Sequence, residues 1–281
     1  MVVTDAFIME LGNKLGYEVR RTSKELPNGG CREGITVDMG IKISPIFYTD
    51  TMSDDTTVDD VARLFQRIKD ECEQHAELVS DMNKETVLAN LMPCVVKTEG
   101  NENFLGRLYH RKFDDMSVFY KYVLKADDDG VETISVTPDL LDTLDISEAE
   151  LTEASLTYVG NHFKCRNLGE VIASFLGCDA SDLALESEGL FMLSNEYNVW
   201  GAGCIVSNML MDSISKSLFD DGQFVIIPSS VHEVLLIGTD AGLEGKAMAE
   251  MITDINREHV KSEEQLSNHA YLWDGAKVVR M

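Results

Sequence analysis

The sequence predicts an α+β protein in which antiparallel hairpins are interleaved with amphipathic helices, as one compact chain or as two small α/β lobes. Three observations carry this expectation. Strand-like runs come in neighbouring pairs joined by short polar turns. The stretches between them repeat apolar residues at three- and four-residue spacing. No GxGxxG or P-loop marks a doubly wound parallel sheet. The firmest pair is Phe224–Ile227 and Val234–Ile237, whose short aliphatic runs read as strands buried on both faces. Pro228, with no N–H for a ladder, closes the first strand and opens the polar link Pro228–Glu233.

Taken in order, Thr4 caps a helix that Gly16 ends, with Phe7, Ile8, Leu11 and Leu15 at helical spacing. Strands follow at Tyr17–Thr22, Ile35–Asp38 and Ile41–Tyr48, and Pro45 places the last at an edge or a bulge. Thr56, three residues before Asp59, opens a helix with an apolar stripe of Val58, Val61, Leu64, Phe65, Ile68 and Cys72; His75 ends that stripe as a structural imidazole. Pro93–Thr98 reads as a strand and Asn101–Leu108 as a helical turn or two. Met116–Leu124 and Val131–Val136 form a hairpin around the DDDG turn, whose acidic spacing does not match an EF-hand loop. Ser147 and Glu150 make a capping box for a helix that Gly160 closes, and Asn167 starts a short helix, Gly169–Leu176. Leu190–Leu193 is a strand, Asn195–Gly203 a loop, Met209–Phe219 a helix and Leu243–His259 a long helix with Leu243, Ala247, Met251, Ile252 and Ile255 on one stripe. Ala270–Trp273 and Ala276–Val279 form a last hairpin around Asp274-Gly275. A helix-strands-helix lobe over residues 1–90 and an α+β lobe over residues 91–281 is the expected division.

Composition narrows the function classes. A formal charge of −25 opposes direct binding to nucleic acid, whose phosphates are met chiefly by Lys and Arg. The charge is uneven: Ala126–Asn161 holds acidic side chains and no Lys or Arg, whereas Arg107–Lys125 is mostly basic. A solubilising acidic face is the simplest reading; a docking face for a basic partner and a nucleic-acid mimic are the alternatives. No apolar run reaches the roughly 20 residues of a membrane helix, and MVVTDAFIMELGNK lacks the basic start and small-residue cleavage site of a signal peptide. Cys31, Cys72, Cys94, Cys165, Cys178 and Cys204 show no CxxC and no paired spacing, which fits free thiols in a reducing cytoplasm and no zinc site. No cofactor is expected.

ISPIFY at Ile43–Tyr48, HRKFDD at His110–Asp115, FMLSNEYNVWGAGCI at Phe191–Ile205 and IIPSSVHEVLLI at Ile226–Ile237 together resemble an uncharacterised domain-of-unknown-function family of gut Clostridia and related Firmicutes. The resemblance spans most of the chain. It implies a bacterial source and a shared fold, and it transfers no catalytic residue. Tyr109 departs from the pattern, standing where a proline is expected before the His110–Arg111 pair.

Two clusters have the residue types for chemistry: His110, Arg111, Asp114 and Asp115, and the link residues Ser229, Ser230, His232 and Glu233. Ser229 or Ser230 with His232 and a carboxylate would supply nucleophile, base and orienting acid, but the segment lacks nucleophile-elbow glycines. His110 and His232 with Asp114 or Glu233 would suit a mononuclear metal, but no HxxxH-type anchor is present. The competing reading is structural: serine and histidine side chains satisfy backbone groups at the reversal, and Arg111 pairs with Asp114 or Asp115. Asn195, Tyr197 and Trp200, with Asn198, give the next loop the composition of a recognition surface or of a partly buried anchor. The expected protein is therefore a non-enzymatic cytoplasmic binding or interaction protein of a Firmicutes bacterium with an unknown protein partner and no nucleic-acid or membrane partner. A hydrolase or metal-dependent enzyme using His110 and His232 is the rival, and an acidic nucleic-acid mimic the third reading.

Overall fold

The structure is a computed structural model that describes residues 3–41, 44–80, 82–127, 130–177, 189–239 and 245–281. Lys42, Ile43, Asp128, Asp129, Cys178 and Leu243 fall outside these ranges, and the side chain of His75 is likewise not described. The class is α+β, with antiparallel sheets, and the chain forms two compact units, Met1–Asn83 and Lys84–Met281.

The first unit packs two helices on a three-stranded sheet. Helix α1 spans Asp5–Leu15, with the Thr4 hydroxyl accepting from Phe7 N–H at 3.2 Å and Gly16 ending it in the left-handed region at φ 74°. β1 (Glu18–Glu25), β2 (Cys31–Asp38) and β3 (Ile46–Tyr48) pair antiparallel in that order, so the Pro45-led strand is an outer one and shorter than its expected span. Helix α2 runs over Val58–Ser80. Its cap sits one residue later than the sequence reading placed it: Thr57 and Asp60 bond reciprocally, the carboxylate taking Thr57 N–H at 2.9 Å. The core joins Leu11, Ile35, Val37, Phe47, Val61 and Phe65. Leu64, expected on the buried stripe, is 38% exposed.

The second unit is built on two sheets. Its elements are α3 (Lys84–Ala89), β4 (Leu91–Lys97), α4 (Glu102–Leu105), β5 (His110–Phe113), β6 (Met116–Asp127), β7 (Gly130–Ser135), α5 (Pro138–Leu144) and α6 (Glu148–His162). They continue with β8 (Phe163–Asn167), α7 (Leu168–Leu176), β9 (Leu190–Asn195), α8 (Asn208–Leu218), β10 (Phe224–Ile227), β11 (Val234–Gly238), α9 (Gly245–His259), β12 (Tyr271–Trp273) and β13 (Val278–Arg280). The long β6 is a spine, taking β4 along one edge and β5 and β7 along successive parts of the other. The second sheet has the order β13-β12-β10-β11-β9-β8.

β10 and β11 are its central, antiparallel pair. Phe224, Val225, Ile226, Val234 and Leu236 are buried, while Ile227, Leu235 and Ile237 are partly exposed, so β11 is half open on one face and not buried on both. The Ser147–Glu150 capping box forms, but Gly160 does not stop α6, which continues to His162. Packing of Tyr158 and Val159, 4% and 2% exposed, outweighs the roughly 1 kcal/mol that a helical glycine costs. Helix α9 buries Met248, Ile252 and Asn256, turned from the expected stripe, and leaves Met251 and Ile255 exposed. The Asn256 amide explains the turn: it donates to Ser267 O at 3.1 Å and Asn268 Oδ1 at 2.8 Å, bonds a hydrophobic pattern does not register. Among the described residues no helix is long and apolar enough to cross a membrane.

Candidate functional site

The Pro228–Glu233 link leaves β10 and returns as β11, and its backbone is held from three sides. Val231 N–H donates to Glu264 O at 2.8 Å, Val231 O accepts from Ala202 N–H at 3.3 Å, and His232 O accepts the Ser194 hydroxyl at 2.7 Å. Such ties satisfy buried peptide groups without a ladder and leave the side chains to line a surface.

These side chains form one wall of a polar cleft of about 450 Å3. Ser229, Ser230, His232 and Glu233 come from the link, Asn198 from the loop after β9, His259 and Val260 from the end of α9, and Glu264 from the turn that follows it. Both serine hydroxyls donate to one carboxylate oxygen, Glu233 Oε1, at 2.9 and 2.8 Å. Ser230 Oγ also accepts His232 N–H at 2.9 Å. His232 Nδ1 accepts the Trp200 backbone N–H at 3.3 Å, which leaves the proton of a neutral ring on Nε2. The serine protons thus go to a carboxylate and not to the imidazole, and a serine nucleophile with His232 as its base is not assembled. Nor do the hydroxyls serve backbone groups alone, as the structural reading of the link expected. His259 and Glu264 were not found from sequence, because nothing local marks residues brought in by a helix end.

The neighbouring loop supports this wall. Asn195, 3% exposed, accepts from Tyr197 N–H at 3.1 Å and Val199 N–H at 3.2 Å and donates to Val199 O at 2.7 Å. Its side chain is occupied with folding the loop. Tyr197 lies half-buried with its ring centroid 6.1 Å from that of His162. Trp200 has a left-handed backbone at φ 60°, an uncommon setting for a bulky residue. Its ring meets Phe119 edge-on at 5.4 Å, the Lys121 ammonium at 5.4 Å and the His232 ring at 6.1 Å. The next residue must be glycine: a Cβ on Gly201 would sit 2.1 Å from Ser194 Oγ and 2.6 Å from His232 O.

The other predicted cluster disperses. His110 is exposed on β5 and donates from Nδ1 to Leu108 O at 3.0 Å. Arg111, expected to pair with Asp114 or Asp115, instead donates from Nε to the Tyr120 hydroxyl at 3.0 Å. Asp114 turns the chain at φ 55° and lies 3.6 Å from Arg280 Nε. Asp115 accepts the Tyr271 hydroxyl and the Ser267 hydroxyl, the latter at 3.2 Å, and burial with that carboxylate pushes the Tyr271 phenol up. His110 and His232 therefore hold separate partners, and among the described residues no three His, Cys, Asp or Glu side chains stand together as a metal would need.

A small enclosed space is lined by His162, Asn195 and Cys204, the residue types of a thiol catalytic site. Burial disfavours the thiolate that such chemistry needs. Cys204 and Cys94 are pushed up to about 12, so both thiols stay protonated at neutral pH. Cys204 spends its proton on Ser194 O at 3.5 Å.

No curated protein and no solved structure matches the chain. The sequence relationship that does hold covers both units, from Val2 to Gly275: over residues 2–275 the chain matches the model of a family of unknown function, DUF5688, and belongs to that family.

Proposed function

We propose that the protein acts by binding, as a cytoplasmic protein of a Firmicutes bacterium without enzymatic activity, and that the Ser229–Glu233 cleft receives a positively charged, hydrogen-bond-donating group of a protein partner, a lysine or arginine side chain. The observation that carries this reading is the convergence of both serine hydroxyls on Glu233 Oε1. They fix the orientation of the carboxylate, while Oε2 retains its acceptor capacity for a ligand. Charge-assisted bonds to a pre-oriented carboxylate are the strong class of hydrogen bond, and guanidinium matches it best. The formal charge of −25 draws a basic partner and repels nucleic acid. The unpaired thiols of Cys31, Cys72, Cys94, Cys165 and Cys204 support a reducing compartment.

The test is an anisotropy titration with a fluorescein-labelled arginine-glycine peptide and its glutamate-glycine counterpart. Salt-sensitive binding of the basic peptide alone is expected, weakened about tenfold or more by Glu233→Gln, the size of one lost charge-assisted hydrogen bond. Binding indifferent to Glu233→Gln assigns the attraction to the general surface and removes the cleft from it. Turnover of p-nitrophenyl acetate that disappears in Ser229→Ala or Ser230→Ala would replace the binding reading with a hydrolase.

A further inference from the structure

The first unit carries an opening that the cleft does not explain. β3 is the outer strand of its sheet, paired with β2 on one side, and among the described residues no strand pairs with its other edge. An open edge presents backbone donors and acceptors in a row. Beside it, bounded by β3, the end of α1 and the first turns of α2, runs an open groove of about 1020 Å3. Phe47, Val61 and Ala62 are its buried floor, and Ile46 and Leu64, 37% and 38% exposed, stand along its walls.

The charges around this groove nearly cancel but do not quite. Lys14 pairs with Asp59, and Arg63 with Asp60. Arg67 remains, an exposed cation on the groove that has no ion partner among the described residues. In a chain of formal charge −25, this apolar groove therefore ends in a positive charge.

We propose that the groove binds an extended acidic peptide segment of another protein, which adds as a fourth strand along β3, sets alternate apolar side chains on the floor and brings a carboxylate to Arg67. Strand addition uses the open backbone edge, the floor accepts every second side chain, and a guanidinium holds a carboxylate by paired hydrogen bonds. A second copy of this chain offered edge to edge fits less well. Its β3 brings Ile46, Phe47 and Tyr48, and the acid that follows, Asp50, is held by its own Arg32 at 2.8 and 2.9 Å.

The experiment titrates the full chain with a labelled Thr-Val-Thr-Val-Thr-Glu-Thr peptide, whose valines and glutamate share one face of the strand, a version with lysine in place of glutamate, and a version N-methylated at alternate backbone amides. The expected result is saturable binding of the glutamate peptide, with the lysine and N-methylated peptides weaker by about tenfold or more, as loss of a charge pair or of several backbone bonds requires. Arg67→Glu should invert the preference between glutamate and lysine peptides, and Leu64→Glu should weaken both; each replaces an exposed side chain, and circular dichroism verifies the fold. Absence of saturation, equal binding of the N-methylated peptide, or an unchanged preference in Arg67→Glu would overturn the proposal. So would a concentration-dependent dimer that Leu64→Glu dissolves, since the groove's occupant would then be a second copy.

Discussion

Around the polar cleft of the second unit the backbone is tied at Ala202, Val231, His232 and Glu264, and glycines at 201 and 203 let neighbouring strands approach to contact. In the first unit β3 pairs, among the described residues, with β2 alone, and large apolar side chains at Ile46 and Leu64 stay partly in water. One opening is lined by a loop whose backbone is tied on several sides; the other borders a strand edge with which, among the described residues, no further strand pairs. The difference teaches where mutation is tolerated. A polar cleft on a clamped loop is rigid and intolerant of added atoms, whereas an apolar groove at a sheet edge accepts substitution until a ligand is offered.

The strongest way to break this contrast is Gly203→Ala. A Cβ there would stand 2.0 Å from Pro93 O and 2.7 Å from its carbonyl carbon, backbone atoms that no rotamer change can move aside. Loss of about 4 kcal/mol or more, the range of severe overpacking and strain, is expected in urea unfolding. Gly160→Ala in α6, with nothing within 4 Å of the new Cβ, should stabilise by about 0.5–1 kcal/mol. Equal tolerance of the two substitutions would show that the clamp is looser than its geometry.

A second measurement compares apolar truncations in the two regions. Ile226, fully buried at the centre of the second sheet, should cost about 2–5 kcal/mol as Ile226→Ala. Leu64→Ala, on the groove wall, should stay within about 1 kcal/mol, since a side chain 38% exposed has less burial to lose. A large loss at Leu64 would mean that the groove is core.

The smallest effect is a pH dependence in the first unit. The Thr57 hydroxyl and N–H, with Arg63, hold the Asp60 carboxyl down to about 2, below its ordinary 3.8. A depressed carboxyl stabilises above its unfolded value and loses that contribution as pH falls through the folded one. The difference in urea midpoint between the parent and Asp60→Asn should therefore be constant above about pH 5 and shrink toward pH 2, in the window set by the ordinary and lowered values. A difference that grows on acidification would contradict the sign.

What the sequence made legible was local. The β10–β11 pair, the β12–β13 hairpin, the Thr4 and Gly16 caps and the Ser147–Glu150 box are each encoded within a few residues, and each forms. β8, α3 and α5 went unread because they are short and weakly patterned, and their stability comes from neighbours distant in sequence. Of the cleft, Ser229–Glu233 stood out as a contiguous polar island, while His259 and Glu264 join it only through tertiary structure. Asp114 and Asp115 looked like partners of His110 because they are close in sequence; their bonds go to Arg280, Ser267 and Tyr271 instead.

The strand order β13-β12-β10-β11 has a consequence for how the molecule is made. Residues Phe224–Ile227 are translated well before Tyr271–Trp273, the strand that covers their second edge. During that interval a nascent chain carries a bare strand with no charged residue, able to pair with any other bare strand it meets. Crowded synthesis thus sets a race between docking of residues 271–273 and association with neighbouring chains. A holdase that shields this edge would raise the yield of folded protein without touching its final stability.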